Sequence, residues 1–223
     1  METRTAEKPL SEAIKYRRAT PSFDGTPVPD GDLKKILQAG LEAPSGYNLQ
    51  PWRFVVVRDP EARKRLRAAA MGQPKVEEAP VVIVACGDPE GWKGGGDMEE
   101  MLRLAELDEG TRKVIRQNLN NFLGAQAGDK GGVAPDFGLW VNRHTMIALT
   151  TMMWTAETLG YDTAPMEGFS EAAVRQTLGI PDRVRVVALL AIGHLKCPDK
   201  PYGKRFAMER VVFNNKWGSG LKL

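Results

Sequence analysis

The sequence is poor in the residues from which enzymes usually assemble chemistry of their own. Its 223 residues include 2 cysteines and 2 histidines. Cys86 and Cys197 stand far apart and form no C-x-x-C pair, and Cys86 closes an apolar run, so it reads as a buried free thiol. His144 and His194 alone do not make a histidine-rich zinc site, and no metal is expected. A reducing, cytoplasmic setting is the simplest expectation. The net charge is +3 and no basic block is interleaved with aromatics, so a nucleic-acid partner is not expected. No apolar run approaches a membrane span, and residues 1–8 are charged and polar, unlike a secretion signal.

Motifs that announce catalysis are missing as well. There is no nucleophile elbow G-x-S-x-G, no G-x-G-x-x-G after a strand, and no carboxylate pair with an evident acid–base role. Gly94, Gly95 and Gly96 lack the lysine and hydroxyl residue of a phosphate loop and read as flexible chain. Such poverty fits an enzyme that binds and orients a cofactor and leaves the chemistry to it.

What is present centres on residues 42–54, E-A-P-S-G-Y-N-L-Q-P-W-R-F. Pro44 and Pro51 bracket a hydroxyl (Ser45), an unhindered backbone (Gly46) and two amides (Asn48, Gln50). Each amide offers a donor and an acceptor, which suits a flat heterocycle; local capping of a helix-to-strand loop is the alternative.

Around this segment the pattern is that of one domain. Leu10, Ala13 and Ile14 recur at helical spacing with Ser11 as N-cap, and Pro21 stops the chain after Arg17-Arg18. Asp30 caps a second helix striped by Leu33, Ile36, Leu37 and Leu41. Apolar strands are expected at 54–57, 81–86 and 184–192, a charged helix at 61–70, and a turn at 72–75. Residues 88–135 suggest two helices around Met98–Ala105 and Val114–Phe122, then a mobile connection at 124–132; together they read as a lid or insertion. Asp136 caps a long helix ending near Leu159, apolar nearly all round, which belongs in a central core or at a subunit interface. An exposed acid, Glu167, lies between Pro165 and Gly168; Ser170 caps another helix; and 211–213 reads as a last short strand. The class is α+β or α/β.

Two basic pairs, Arg17-Arg18 and Lys204-Arg205, lie at opposite ends of the chain. If they converge they make a phosphate pocket, since arginine holds phosphate through two N–H groups at once. With the amides and the backbone near Glu167-Gly168, the inventory describes a flavin mononucleotide (FMN) site. Two unrelated surface pairs remain the other reading.

Five motifs in order decide the matter: R-R-x-x-x-x-F from Arg17, A-P-S-x-x-N-x-Q-P-W from Ala43, A-P-V-V-I-V from Ala79, L-G-Y-D-T-A-P-M-E-G-F from Leu159, and A-I-G-H from Ala191. Over about residues 10–213 the chain resembles the FMN-dependent nitroreductase family. The resemblance implies an α+β, three-layer fold with a central, mainly antiparallel sheet flanked by helices. It implies an intertwined homodimer with two FMN sites at the interface and a tail, 197–223, that embraces the partner. It also implies oxidation of NADH or NADPH and ping-pong hydride transfer to nitroaromatics, quinones or related small-molecule acceptors.

By the same resemblance Arg17, Arg18, Lys204 and Arg205 hold the phosphate and ribityl chain. Pro44, Ser45, Gly46 and Asn48 line the flavin of the partner subunit. Pro165, Met166, Glu167 and Gly168 pass its reactive edge, where the Glu167 backbone N–H donates to N5. Two departures stand out: Ala19 replaces a small hydroxyl residue, and Pro21 replaces a basic one. Lys75, near Gln73, or Lys204 is expected to supply the missing charge. Phe122, Trp140 and His144 are the substrate-side candidates, with ordinary packing as the alternative for each. The alternatives in function are another flavin reaction on the same fold (dehalogenation, flavin cleavage, enone or pterin reduction) or flavin binding without turnover.

Overall fold

A computed structural model describes residues 7–91, 96–126, 137–198 and 200–221, without the side chains of 122–126 and 137. The described chain is built on four antiparallel strands, β1 (Trp52–Val57), β2 (Val81–Gly87), β3 (Asp162–Met166) and β4 (Arg185–Gly193), ordered β1-β2-β4-β3. Helices cover both faces. Val82, Val84 and Cys86 of β2 point into one core with Leu66 of α3 (Pro60–Ala69), Val76 of α4 (Pro74–Glu78) and Val174 of α8 (Glu171–Leu178). Val81, Ile83 and Ala85 point into the other, with Leu33 and Ile36 of α2 (Asp30–Leu41) and Leu149, Met152 and Ala156 of α7 (Phe137–Thr158). Successive strand side chains alternate in direction, so a strand covered on both sides carries no polar face. That is why the 81–86 run is uninterruptedly apolar. Each such side chain contributes about 1.5–3 kcal/mol on burial.

α7 holds the helical layer together. A Cβ on Gly40 of α2 would lie 2.1 Å from Met152 Cε and 2.6 Å from its Cγ, so the two helices meet closely enough that any larger residue would force Met152 to shift. At its N-terminal end Trp140 and Val141 form a third cluster with Leu49, with Met98 and Leu102 of α5 (Asp97–Leu104) and with Leu119 of α6 (Glu109–Gln126). The expected excursion after β2 is therefore anchored by a small core of its own.

Several local expectations are corrected. Ser11 and Asp30 lie inside α1 (Leu10–Tyr16) and α2 rather than capping them. The carbonyls of Pro9 and Pro29 already accept the first helical bonds, so each helix starts earlier. Residues 72–75 do not form a simple turn, because Pro74 opens α4 with Gln73 as its N-cap residue. The segment around Pro165 is a strand, β3, at one margin of the sheet, where a missing N–H is tolerated. At 211–213 there is no strand: α9 (Met208–Val211) ends there, and Phe213 pairs back with Gly220 across a short reversal. α6 continues to Gln126, through Gly124 of the expected connection; the rest of that connection and the Asp136 cap lie outside the described residues.

Candidate functional site

Four stretches distant in sequence gather at the β3 margin. Ala19 pairs with Thr163 in a parallel bridge and Thr20 N donates to Thr163 O at 3.0 Å, which lays the double arginine alongside β3. Phe23 pairs with Leu195 and Lys196 N donates to Ser22 O at 3.1 Å, bringing in the chain after β4. Gln73 Nε2 donates to Gly168 O at 2.8 Å, tying the start of α4 to the loop after β3. Pro165 and Met166 are the last residues of β3, and Glu167 just beyond them is exposed, as expected.

Arg18 and Arg205, one arginine of each basic pair, meet at Tyr202. The Arg18 guanidinium lies 4.5 Å from the Tyr202 ring centroid, and that of Arg205 lies 5.5 Å from the same ring. Arg205 Nη1 donates to Lys204 O at 2.6 Å. Arg18, Tyr202 and Arg205 line a cleft of about 430 Å³ with Ile14, Lys15 and Tyr16. Arg17 turns the other way, 5.7 Å over the Trp154 ring. Its Nε and Nη1 are buried and make no hydrogen bond among the described residues. A buried donor without a partner costs about 1–3 kcal/mol, and more when charged, so this guanidinium is poised for an anion.

Lys75 makes no ion pair among the described residues. Burial, and then the charge of Lys200, hold its ammonium below the ordinary lysine range. Glu157, near the end of α7, is buried and accepts from Thr163 Oγ1 at 2.6 Å. Burial pushes its carboxyl up to about 7, against the Thr163 hydrogen bond and, less strongly, the charges of Arg17 and Lys8.

The 44–50 loop is built differently. Ser45 Oγ accepts from Gln50 N at 3.0 Å, and Tyr47, Asn48 and Gln50 all have positive φ, at 53°, 54° and 45°. Three such residues in one loop hold its amides in a conformation that non-glycine residues avoid. Pro44 and Asn48 are exposed. Gly46 rests on α7: a Cβ there would meet Trp140 Cζ2 at 3.3 Å and His144 Nε2 at 3.5 Å. Trp140 and His144 stack at 4.2 Å between centroids, and His144 Nδ1 lies 2.8 Å from Trp140 O. A carbonyl only accepts, so Nδ1 is the donor in this contact, and Nε2 is the ring nitrogen that faces Gly46.

Within one chain these two groups of residues lie apart. The loop feeds β1, at the opposite margin of the sheet from β3. Three strand spacings separate those margins, roughly 14 Å. Arg17, Arg18, Ala19, Gln73, Lys75, Pro165, Met166, Glu167, Gly168, Lys204 and Arg205 fall in the connected β3 neighbourhood; Pro44, Ser45, Gly46, Asn48, Trp140 and His144 fall in the other. The Phe122 side chain lies outside the described residues. Sequence reasoning missed Trp154, Glu157, Thr163 and Tyr202. Only Glu157 left a signal, as the one acid in the otherwise uncharged stretch 144–158 apart from His144.

The chain thus sets an antiparallel sheet between two helical layers, with a cationic corner at one margin and an amide loop at the other. Residues 14–194 match the model of the nitroreductase family. An NADH dehydrogenase of Thermus thermophilus is 37% identical over 203 residues, covering 88% of this chain and 91% of that protein. A solved structure of a candidate nitroreductase of Bacillus subtilis, ydfN, superposes with a TM-score of 0.82 at 27% identity, covering 92% of this chain and 98% of that one. Another, a candidate nitroreductase of Exiguobacterium sibiricum solved with FMN, gives a TM-score of 0.78 at 21% identity, covering 94% and 98%. The chain belongs to the nitroreductase family, whose members are FMN-dependent enzymes that draw electrons from NAD(P)H.

Proposed function

We propose that this protein is an oxidoreductase that takes hydride from NADH or NADPH and passes it, by a ping-pong scheme, to nitroaromatics, quinones or related acceptors. The observation that carries the reading is Arg17, whose buried donors lack partners beside the corner where Arg18 and Arg205 share Tyr202. A phosphate monoester fits that donor set, and FMN carries one. Bound FMN supplies the centre that accepts and releases hydride.

The chain's own residues bind and orient. Arg17, Arg18, Lys204 and Arg205 hold the phosphate end. Gln73, fixed on Gly168, and the 165–168 segment border the ring, with the Glu167 backbone N–H as the donor to N5. Lys75 supplies the positive charge that Pro21 cannot, and its lack of an ion pair among the described residues leaves that charge available to the ring's pyrimidine edge. Pro44, Ser45, Gly46 and Asn48 serve the partner's site in a homodimer. Phe206 and Trp217 are 65% and 92% exposed, which supports a 197–223 tail that closes over a second copy. Trp140 and His144 border the acceptor, and the described helices α5 and α6 roof it.

The test is anaerobic. FMN-loaded protein mixed with NADH or NADPH should lose its flavin absorbance, then regain it with a nitroaromatic or quinone but not with an aryl halide. Failure to take up FMN, or NAD(P)H consumption indifferent to an acceptor, would refute the proposal.

A further inference from the structure

Behind the corner assigned to the phosphate stands a buried acid that neither the motifs nor the proposed reaction uses. Glu157 lies near the end of α7, 7% exposed. It accepts from Thr163 Oγ1 at 2.6 Å, and the Thr163 backbone is what holds Ala19 and Thr20 beside β3. Trp154, one turn earlier on the same helix, lies under Arg17. The strap before α1 crosses the same helix end, where Lys8 N donates to Thr158 O at 2.8 Å. The acid and the partnerless guanidinium therefore share one buried corner without a direct hydrogen bond between them.

We propose that Glu157 is a positioning residue for the cofactor: through Thr163 it fixes the Arg17 segment, and its charge state sets how much of the Arg17 charge a bound phosphate receives. The inference rests on the FMN reading above. The titratable groups that face Glu157 are Arg17 beyond the end of α1, Lys8 before it, and Asp162 on β3. Asp162 is itself engaged, its Oδ2 accepting from Leu195 N at 2.8 Å. Burial, helped by the charge of Asp162 and opposed first by the Thr163 hydrogen bond and then by Arg17 and Lys8, puts the Glu157 carboxyl at about 7, so both charge states are populated near neutrality.

The sign follows. An ionised Glu157 competes with phosphate for Arg17 and weakens cofactor binding; a neutral Glu157 does not. Binding must in turn raise the carboxyl's pKa, because the coupling is reciprocal. The phosphate's own second ionisation, roughly at pH 6, acts in the opposite direction, so the effect is read by comparing variants rather than from one profile.

FMN affinity is measured by quenching of flavin fluorescence, for wild type and Glu157→Gln, in steps from about pH 5.5 to about pH 8.5, a window that spans the ordinary and raised carboxyl ranges. Riboflavin, which lacks the phosphate, is titrated in parallel. Glutamine keeps an acceptor for Thr163 and never ionises. The variant should bind FMN about three- to tenfold more tightly than wild type at the alkaline end, one pKa unit of coupling being tenfold, and equally at the acid end. The riboflavin ratio should stay flat. Glu157→Met, also neutral, should lose the same pH dependence whatever its absolute affinity. An FMN ratio that is constant with pH, or a riboflavin ratio that changes with pH as the FMN ratio does, would overturn the role of Glu157. Wild-type protein that binds no FMN at any pH would overturn the cofactor reading instead.

Discussion

Arg17 is the residue at which folding and binding conflict. Its guanidinium is buried over Trp154 with two donors unmet, an arrangement that burdens the empty chain and favours an anion. Arg17→Ala should weaken FMN binding by about 1.5–3 kcal/mol, the worth of a charge-assisted hydrogen bond, while leaving the apo-protein as stable or more so. Titration and denaturant midpoints read the two quantities separately; unaltered FMN affinity would reduce the double arginine to a helix end. Glu157 gives a second prediction on the apo-protein. Its carboxyl is raised from 4.5 to about 7 in the fold, so the stability it contributes is complete below the unfolded value and is lost as pH rises through about 7. The loss should approach about 3 kcal/mol, and Glu157→Gln should flatten that part of the stability profile. At this scale the motifs singled out the arginines, the amides and the 165–168 segment, and the fold places the first and last of these at one margin of the sheet and the amides at the other. Tyr202, Trp154 and Thr163 were not legible, because their roles arise from contacts across the fold and leave no local pattern.

At the scale of elements, β-branched runs fed by both cores announced β1, β2 and β4. β3 was missed because it has five residues, one of them Pro165, and earns its place only by pairing with β4. Helix starts were misplaced where Pro9 and Pro29 supplied the first acceptor carbonyls ahead of better-known capping side chains. The bends of the 44–50 loop were equally hidden: nothing in Tyr47, Asn48 or Gln50 foretells a positive φ at all three. The α2–α7 crossing makes a direct test of packing. Gly40→Val would drive a Cβ to 2.1 Å from Met152 Cε and should destabilise the fold by about 1–3 kcal/mol. Adding Met152→Ala should recover part of that loss in a double-mutant cycle of urea midpoints. Additive losses would mean that the two helices do not meet there.

The whole molecule presents more than one chain can use. Its cationic corner and its amide loop lie at opposite margins of one sheet, while α1 and the tail expose Leu10, Ile14, Phe206 and Trp217. In the proposed homodimer a second copy would supply both the cover and the other half of each site. Removing residues 200–223 should therefore abolish both dimerisation, read by sedimentation, and FMN retention. The most direct measurement is subunit complementation. Arg17→Ala damages the corner, and Gly46→Phe should displace the loop from Trp140. Each homodimer should retain little flavin. Mixed dimers of the two, isolated by orthogonal affinity tags after co-expression, combine both lesions in one site and leave the other intact, so they should bind one FMN per dimer and recover NAD(P)H-dependent reduction. Mixed dimers as empty as their parents would contradict a site shared between chains.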